Sequence, residues 1–227
     1  MKKMLAVLLA GVLAVGMCAG FVACGGGDTG INADTDFKEI ISDKVMEKQW
    51  NNAFASHSFN NFKMRWSDFE GRVRNLYLAD KILYESVTYD EKENPNIDSE
   101  MYLHSGEGVT TVYVYYHSNA TLYVPVISSD KWVRYEENVD FDFKEYIDEN
   151  YMSFDDVNDA YSLFEYSDEI NGYVYYDSEG HGGGSVVKFK DKKCCCIYWF
   201  DDAGNIETSA LLYDYGKTKL TLPTVEE

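Results

Sequence analysis

The run Val109-Thr110-Thr111-Val112-Tyr113-Val114-Tyr115-Tyr116 consists entirely of β-branched and aromatic residues. Such side chains suit the pleated backbone of a β-strand, where they pack on the surfaces of a sheet. Because both faces of the run carry β-branched and aromatic residues, it predicts a central strand with neighbours on both sides. The chain also has nineteen tyrosines and twelve phenylalanines against three prolines, which favours further strands around this one.

Strand-like and helix-like patterns alternate along the rest of the chain. Apolar residues at helical spacing predict helices at 37–57 and 139–170. Strands are predicted by period-two alternation at 59–89, 101–104, 122–126, 131–135, 173–176, 186–189, 195–200, 206–213 and 219–222. The order of helix, strands, helices and strands predicts an α+β fold, with a single domain at 37–223 and a tail at 224–227.

The first twenty-four residues have the layout of an export signal. Lys2 and Lys3 open the chain, an uncharged apolar run extends from Met4 to Ala23, and three glycines follow Cys24. This layout resembles a bacterial lipoprotein signal, in which a cysteine after a small residue receives diacylglycerol and becomes the new N-terminus. The resemblance implies a signal peptide at 1–23, acyl chains such as palmitate on Cys24, and attachment to the outer face of the bacterial cell membrane. Residues 24–36 are predicted to form a flexible linker.

Two alternatives to this interpretation are open. Cys18 is a second candidate for lipidation, but Met17 before it is larger than the residue usual at that position, whereas Ala23 is small. The apolar run is also about long enough to span a bilayer without being cleaved. A membrane-spanning helix, however, has no need of a cysteine and a glycine tract after it. We therefore expect lipidation at Cys24, with the body exported in either case.

The acidic charge of the chain limits its partners. The chain has 20 basic and 39 acidic residues, a formal net charge of −19, and loss of residues 1–23 removes two lysines and no acid, which makes it −21. Such a surface repels nucleic-acid phosphates and anionic lipid headgroups, so we expect no nucleic-acid partner. Its ordinary consequence is solubility, which we favour over a dedicated cation site.

Three patches resemble the LolA-like lipoprotein carriers, a superfamily that includes the LppX- and LprG-type lipoproteins. They are the helix with Trp50 and Phe54 leading into Asn61-Phe62-Lys63-Met64, the segment Lys131-Trp132-Val133, and Leu212-Tyr213-Asp214-Tyr215-Gly216 with Leu220-Thr221-Leu222-Pro223. The resemblance implies a strongly curved antiparallel sheet, a half-barrel, with helices on its concave face. It also implies an apolar cavity between sheet and helices that holds lipid acyl chains. This chain is more acidic and richer in tyrosine than the family, so a filled core on the same frame is the alternative.

On that frame, two helical stripes would face the concave side of the sheet and line an apolar ligand. The predicted ligand-binding residues are Trp50, Ala53, Phe54, Phe154, Val157, Tyr161 and Phe164. A gap between these stripes would make the protein a carrier of an apolar ligand such as lipid. If the stripes meet, the protein is instead an interaction or sensor module that recognises a protein or a cell-envelope component.

No pattern in the chain indicates catalysis or a bound metal. The four histidines are not at metal-ligand spacing, and no HExxH, CxxC or GxSxG motif occurs. The acidic turn Asp201-Asp202-Ala203-Gly204-Asn205 lacks the alternating ligands of a calcium loop and is predicted to be a hairpin turn, as is Lys190-Asp191-Lys192-Lys193. We therefore expect a non-catalytic protein without a cofactor.

Three consecutive cysteines, Cys194-Cys195-Cys196, lie in a predicted strand. In a regular strand, Cys194 and Cys196 share one face and Cys195 takes the other. Outside the cytoplasm they could form a redox-active thiol or an intermolecular disulfide. The interpretation that we favour is that they are small apolar residues of the core.

Overall fold

The computed structural model describes residues 43–55, 59–89, 96–118, 130–167, 169–176 and 183–225. Their contacts divide them into two compact units. The first unit contains residues 43–55 and 154–211, and the second contains residues 59–153 and 212–225. The predicted signal peptide, Cys24 and the linker lie outside the described residues, so the predicted boundaries of the export signal stay predictions.

The second unit contains a sheet of six strands in the order β6-β5-β4-β3-β2-β1. Each strand pairs antiparallel with the next one along the chain. The strands are β1 (Asn61–Asp68), β2 (Val73–Ala79), β3 (Ile82–Thr88), β4 (Ser99–Gly106), β5 (Val109–Tyr116) and β6 (Trp132–Glu137). The run Val109–Tyr116 is therefore a strand with the predicted bounds and with a neighbour on either side.

Tight turns explain why these strands pair in chain order. Gly106 pairs with Val109, and the two residues between them, Glu107 and Gly108, both have positive φ angles, of 57° and 77°. Two-residue turns with this backbone match the right-handed twist of the flanking strands. Glycine at the second position adopts a positive φ without steric cost.

One face of the six-stranded sheet is apolar and carries a helix. Strand register places Phe62, Leu78, Leu83 and Leu103 in one row across β1–β4, and all four are buried. Helix α2 (Phe143–Asn150) lies on this face, where it buries Ile147. The Asp142 side chain accepts hydrogen bonds from the backbone N–H groups of Lys144 and Glu145, so it caps the first turn of the helix.

The first unit combines the remaining helices with the remaining strands, which pair antiparallel in the order β11-β10-β9-β8-β7. Its helices are α1 (Asp43–Phe54), α3 (Phe154–Asp159) and a 3₁₀ turn (Ala160–Leu163). Its strands are β7 (Glu165–Ser167), β8 (Gly172–Tyr176), β9 (Gly184–Lys190), β10 (Lys193–Phe200) and β11 (Ile206–Tyr213), whose last two residues belong to the second unit.

The prediction of an α+β fold with an antiparallel sheet is confirmed, with two differences in detail. The region 139–170, predicted to be helical, ends in a short strand, β7, because Glu165–Ser167 pair with β8. The predicted strand at 219–222 does not form. The backbone of the residue just before this segment is bound to the Asn61 side chain and not to the backbone of a neighbouring strand. Asn61 Nδ2 donates to the Thr218 carbonyl (3.1 Å), and Asn61 Oδ1 accepts from the Thr218 amide (2.9 Å).

Candidate functional site

The residues predicted to bind an apolar ligand belong to the first unit, and the structure brings most of them together in its core. Trp50, Ala53, Phe54, Phe154 and Phe164 are each less than 10% exposed. Val157 and Tyr161 are half-buried. Five of the seven predicted residues are therefore core residues.

Trp50 is the centre of this cluster. Its ring centroid lies 5.1–5.5 Å from the rings of Phe54, Phe164, Tyr173 and Phe189. Rings at these separations are in mutual contact. The described side chains around Trp50 therefore pack against one another. The indole Nε1–H of Trp50 is buried and has no hydrogen-bond acceptor among the described residues.

A charged cluster lies under helix α2 in the second unit. Glu85 occupies an otherwise apolar row of the sheet, between Leu76 and Met101, and is only 6% exposed. The Tyr146 hydroxyl of α2 donates to Glu85 Oε2 at 2.5 Å, and Arg74 Nη1 lies 3.9 Å from Glu85 Oε1. Burial, and next the charge of Glu85, raise the pKa of Tyr146 well above its usual range, so its hydroxyl stays a donor. These contacts anchor the helix to the sheet.

The opposite face of the same sheet carries aromatic side chains in register. Tyr77, Tyr84, Tyr102 and Tyr113 oppose one another directly across β2, β3, β4 and β5. Lys63 on β1 and Arg134 on β6 stand at the two ends of this row. In the neighbouring row, Tyr115 opposes Trp132. We call these six aromatic residues the tyrosine platform: Tyr77, Tyr84, Tyr102, Tyr113, Tyr115 and Trp132.

Five of the six rings of the tyrosine platform form an unbroken series of contacts, from Tyr77 through Tyr84, Tyr102 and Trp132 to Tyr115. Ring centroids are 5.2 Å apart between Tyr77 and Tyr84, and 4.8 Å apart between Tyr84 and Tyr102. Trp132 lies 5.5 Å from Tyr102 and 5.3 Å from Tyr115. Tyr84 is 9% exposed, whereas the other five residues are half-buried and keep part of each ring accessible. Half-buried aromatic residues of this kind offer rigid, amphipathic contact area.

The carboxylate of Glu100 lies beside the tyrosine platform and contacts Tyr84 and His117. The hydroxyl of Tyr84 donates to Glu100 Oε2 at 2.9 Å, and His117 Nε2 lies 3.0 Å from Glu100 Oε1. Burial raises the pKa of Tyr84 far above its usual range, and the hydrogen bond to Glu100 raises it further. The Tyr84 hydroxyl therefore remains protonated, and Glu100 keeps lone pairs for another donor.

The three cysteines are buried in the first unit, as expected of core residues, but their faces differ from the prediction. Cys194 opposes Phe189, whereas Cys196 opposes the preceding residue, Lys188, so Cys195 is the extra residue of a β-bulge. The bulge turns Cys195 and Cys196 toward one cluster, with Val186 and Tyr198. Cys194 points to the other face, and burial raises the pKa of its thiol. The prediction that Cys194 and Cys196 share a face is therefore wrong.

Lys188 is a buried cation on the face of the first unit that also carries Cys196. It is 1% exposed, and its Nζ donates to the Ile170 carbonyl at 2.8 Å. Its side chain passes over Gly172, where an added Cβ would lie 3.1 Å from Lys188 Cγ. The absence of a side chain at Gly172 therefore makes room for the lysine.

The acidic hairpin is a turn, as predicted. The Asp201 carboxylate accepts from the backbone N–H groups of Ala203 and Asn205 and from the Asn205 side chain, at 2.8–2.9 Å.

Among the residues that the structure describes, no group of three or more acidic, histidine or cysteine side chains is placed to hold a metal ion. Within the same ranges, no helix is both long and apolar enough to cross a membrane.

The tyrosine platform is the feature that sequence reasoning missed. The tyrosines were visible as members of several strands, but those on β2, β3, β4 and β5 come together through strand register, which depends on turn lengths. A signal was available in the two-residue turns 80–81 and 107–108, since each fixes the pairing of its flanking strands.

Comparison with known proteins adds no assignment: no protein-family model matches the chain, and no curated protein matches it either.

Proposed function

We propose that this protein is an exported bacterial lipoprotein, anchored through acyl chains on Cys24 to the outer face of the cell membrane, and that it recognises a cell-envelope component or a protein without catalysis. The layout of the first twenty-four residues supports the anchor. The half-barrel frame of the LolA-like carriers, with helices on its concave face, is part of this proposal. It is supported by the packing of α1 and of α2 on a sheet within their own units.

The observation that carries the recognition function is the tyrosine platform. Aromatic side chains with partly accessible rings and hydroxyl groups are enriched where proteins bind other molecules. This surface lies on the face of the six-stranded sheet opposite α2, so its use requires no opening of the core. The residues expected to line an apolar cavity are instead mostly buried against one another, which favours the interaction module over the carrier.

Retention on isolated cell envelopes tests the recognition function. The full chain, extracted from its host in mild detergent, is mixed with detergent-washed envelopes, and the pelleted fraction is measured. We expect Tyr113→Ala to lower this fraction at least fivefold, because it removes one of the half-buried rings of the tyrosine platform. Tyr135→Ala is the matched control, since Tyr135 is 56% exposed and lies on the opposite face of β6. Equal pelleting of wild type and Tyr113→Ala would contradict the proposal.

One observation keeps the apolar-ligand carrier as a second candidate. The buried Trp50 Nε1–H has no acceptor among the described residues, and an unpaired buried donor is costly unless something else accepts from it. A lipid carbonyl or carboxylate could do so. Native mass spectrometry of the extracted protein would then show a bound lipid, and Trp50→Phe, which keeps a ring and removes the donor, would release it. If the extracted protein carries no lipid and also does not bind a fluorescent fatty acid, the carrier function is excluded.

A further inference from the structure

We infer that the tyrosine platform binds an uncharged polysaccharide chain that lies across strands β2–β6. The inference rests on the proposed recognition function and assigns the chemical class of its ligand.

The charges around the tyrosine platform point to a neutral ligand. The Lys63 ammonium forms an ion pair with Asp214 (2.9 Å), His117 lies against Glu100, and Arg134 pairs with Glu136. The cations at the two ends of the tyrosine row, Lys63 and Arg134, are therefore each neutralised by an adjacent carboxylate. The acidic body would repel an anionic polymer, and the flanking carboxylates of Asp214 and Glu136 are already paired with cations. A neutral ligand is the electrostatic complement of such a face.

The shape of the surface fits an extended chain rather than a small molecule. Neighbouring strands are about 4.8 Å apart, so Tyr77 and Tyr113, three strands apart, are separated by about 14 Å. Contacting rings cover this distance without a break as far as Tyr102, and Tyr115 and Trp132 extend the surface toward β6. A row of this length offers room for several linked sugar rings.

The chemistry of the side chains matches that of a sugar. A pyranose ring presents C–H groups on its faces, which pack on the negative face of an aromatic ring, and hydroxyl groups at its edge. Glu100 stands beside the aromatic row with acceptor capacity left after its contacts with Tyr84 and His117. Asn75 lies in the same row as Glu100, beside the four tyrosines, and its side chain donates to Ser86 at 3.3 Å. The surface thus places hydrogen-bonding groups in the row beside the stacking positions.

Binding of the full chain to defined polysaccharides tests the inference. The detergent-solubilised protein is applied to a printed array of uncharged glycans and pelleted with microcrystalline cellulose, chitin and insoluble starch. Polygalacturonate serves as the anionic comparison. We expect binding to at least one uncharged polymer and none to polygalacturonate. Affinity should fall at least tenfold in Tyr113→Ala and in Trp132→Ala and stay unchanged in Tyr135→Ala, with native circular dichroism in all three.

Tyr113→Phe separates stacking from folding. It keeps the ring and should retain binding to within about threefold, whereas loss through misfolding would affect every variant in β5 alike. If no uncharged glycan binds but envelope retention still depends on Tyr113, the polysaccharide inference is overturned, the partner is a protein, and the recognition function stands. If a glycan binds equally well to Tyr113→Ala and Trp132→Ala, the assigned site is wrong. Loss of both glycan binding and envelope retention in the wild type overturns the proposed function as well.

Discussion

Glu85 shows how a single charged residue is kept inside an apolar row. Its neighbours across the strands are the apolar residues Leu76 and Met101, and Glu85 itself is only 6% exposed. A buried charge is tolerated when it is paired and hydrogen-bonded, and Arg74 with the Tyr146 hydroxyl meets both conditions. The position of α2 on the sheet therefore depends on a polar contact as well as on burial of Ile147.

Removal of the Tyr146 hydroxyl should destabilise the second unit. Tyr146→Phe keeps the ring but leaves Glu85 Oε2 without this donor, and a hydrogen bond to a charged group contributes about 1.5–3 kcal/mol. We expect the free energy of unfolding to fall by about that amount in urea denaturation. Tyr135→Phe is the control, because its exposed ring has more access to water. An unchanged midpoint for Tyr146→Phe would mean that the contact with Glu85 contributes nothing to folding.

At the scale of elements, the bulge in β10 determines which face of the strand each of the three cysteines occupies. One extra residue at Cys195 reverses the faces that follow it, so that Cys196, Tyr198 and Phe200 share a cluster. The Cys195 thiol donates to the Lys188 carbonyl at 3.4 Å, which occupies an acceptor beside the bulge. Burial and local hydrogen bonding favour a packing role for these thiols over a redox role.

Truncation of the bulged cysteine should have a modest cost. Cys195→Ala removes a small buried group, and we expect the free energy of unfolding to fall by about 1–2 kcal/mol. If residues 1–23 are removed and Cys24 is lipidated as proposed, the thiols that remain are Cys194, Cys195 and Cys196, so a thiol-reactive probe reports on this site alone. It should react slowly with the native protein and quickly in denaturant. Fast, stoichiometric labelling of the native protein would contradict burial.

On the scale of the whole molecule, tyrosine burial makes stability depend on alkaline pH. Burial raises the pKa of Tyr173 to about 12, and it raises those of Tyr84, Tyr146, Tyr151 and Tyr213 further. An unfolded tyrosine ionises near pH 10, so each of these groups holds its proton more tightly in the folded state. Their contribution to stability is therefore complete below about pH 10 and is lost as the pH rises through the folded values.

Alkaline titration checks this dependence. Circular dichroism should stay native up to about pH 10, and the free energy of unfolding should fall above it. Tyrosinate absorbance should rise in two phases, with accessible tyrosines ionising first and the buried ones together with unfolding. If all tyrosines ionise in a single phase near pH 10 while the circular dichroism stays native, the burial described for these residues is wrong.

The proposed anchor belongs to the scale of the whole molecule and is tested in the host. Metabolic labelling with a fatty-acid probe should mark the protein, and Cys24→Ser should abolish the label and release the protein from the membrane. Cys18→Ser is the matched control and should leave the label intact. Label lost from Cys18→Ser and kept by Cys24→Ser would move the anchor to Cys18.

The sequence by itself determined most of the strands, the hairpin turns and the acidic charge, because these depend mainly on local residues. The run Val109–Tyr116 is a strand with the predicted bounds, and the turns at 190–193 and 201–205 form as predicted, since their residues accept positive φ angles or bond their own backbone. The export signal is read from the same kind of local pattern and stays a prediction.

Only the tertiary structure decided which side chains meet. Alternation along one strand says which residues share a face of that strand, but the row formed by Tyr77, Tyr84, Tyr102 and Tyr113 depends on register across four strands. The bulge at Cys195 shifts a register in a way that composition does not signal. The packing of Trp50 with Phe164 and Phe189 likewise joins residues far apart in the chain, so it follows from long-range contacts that no local pattern encodes.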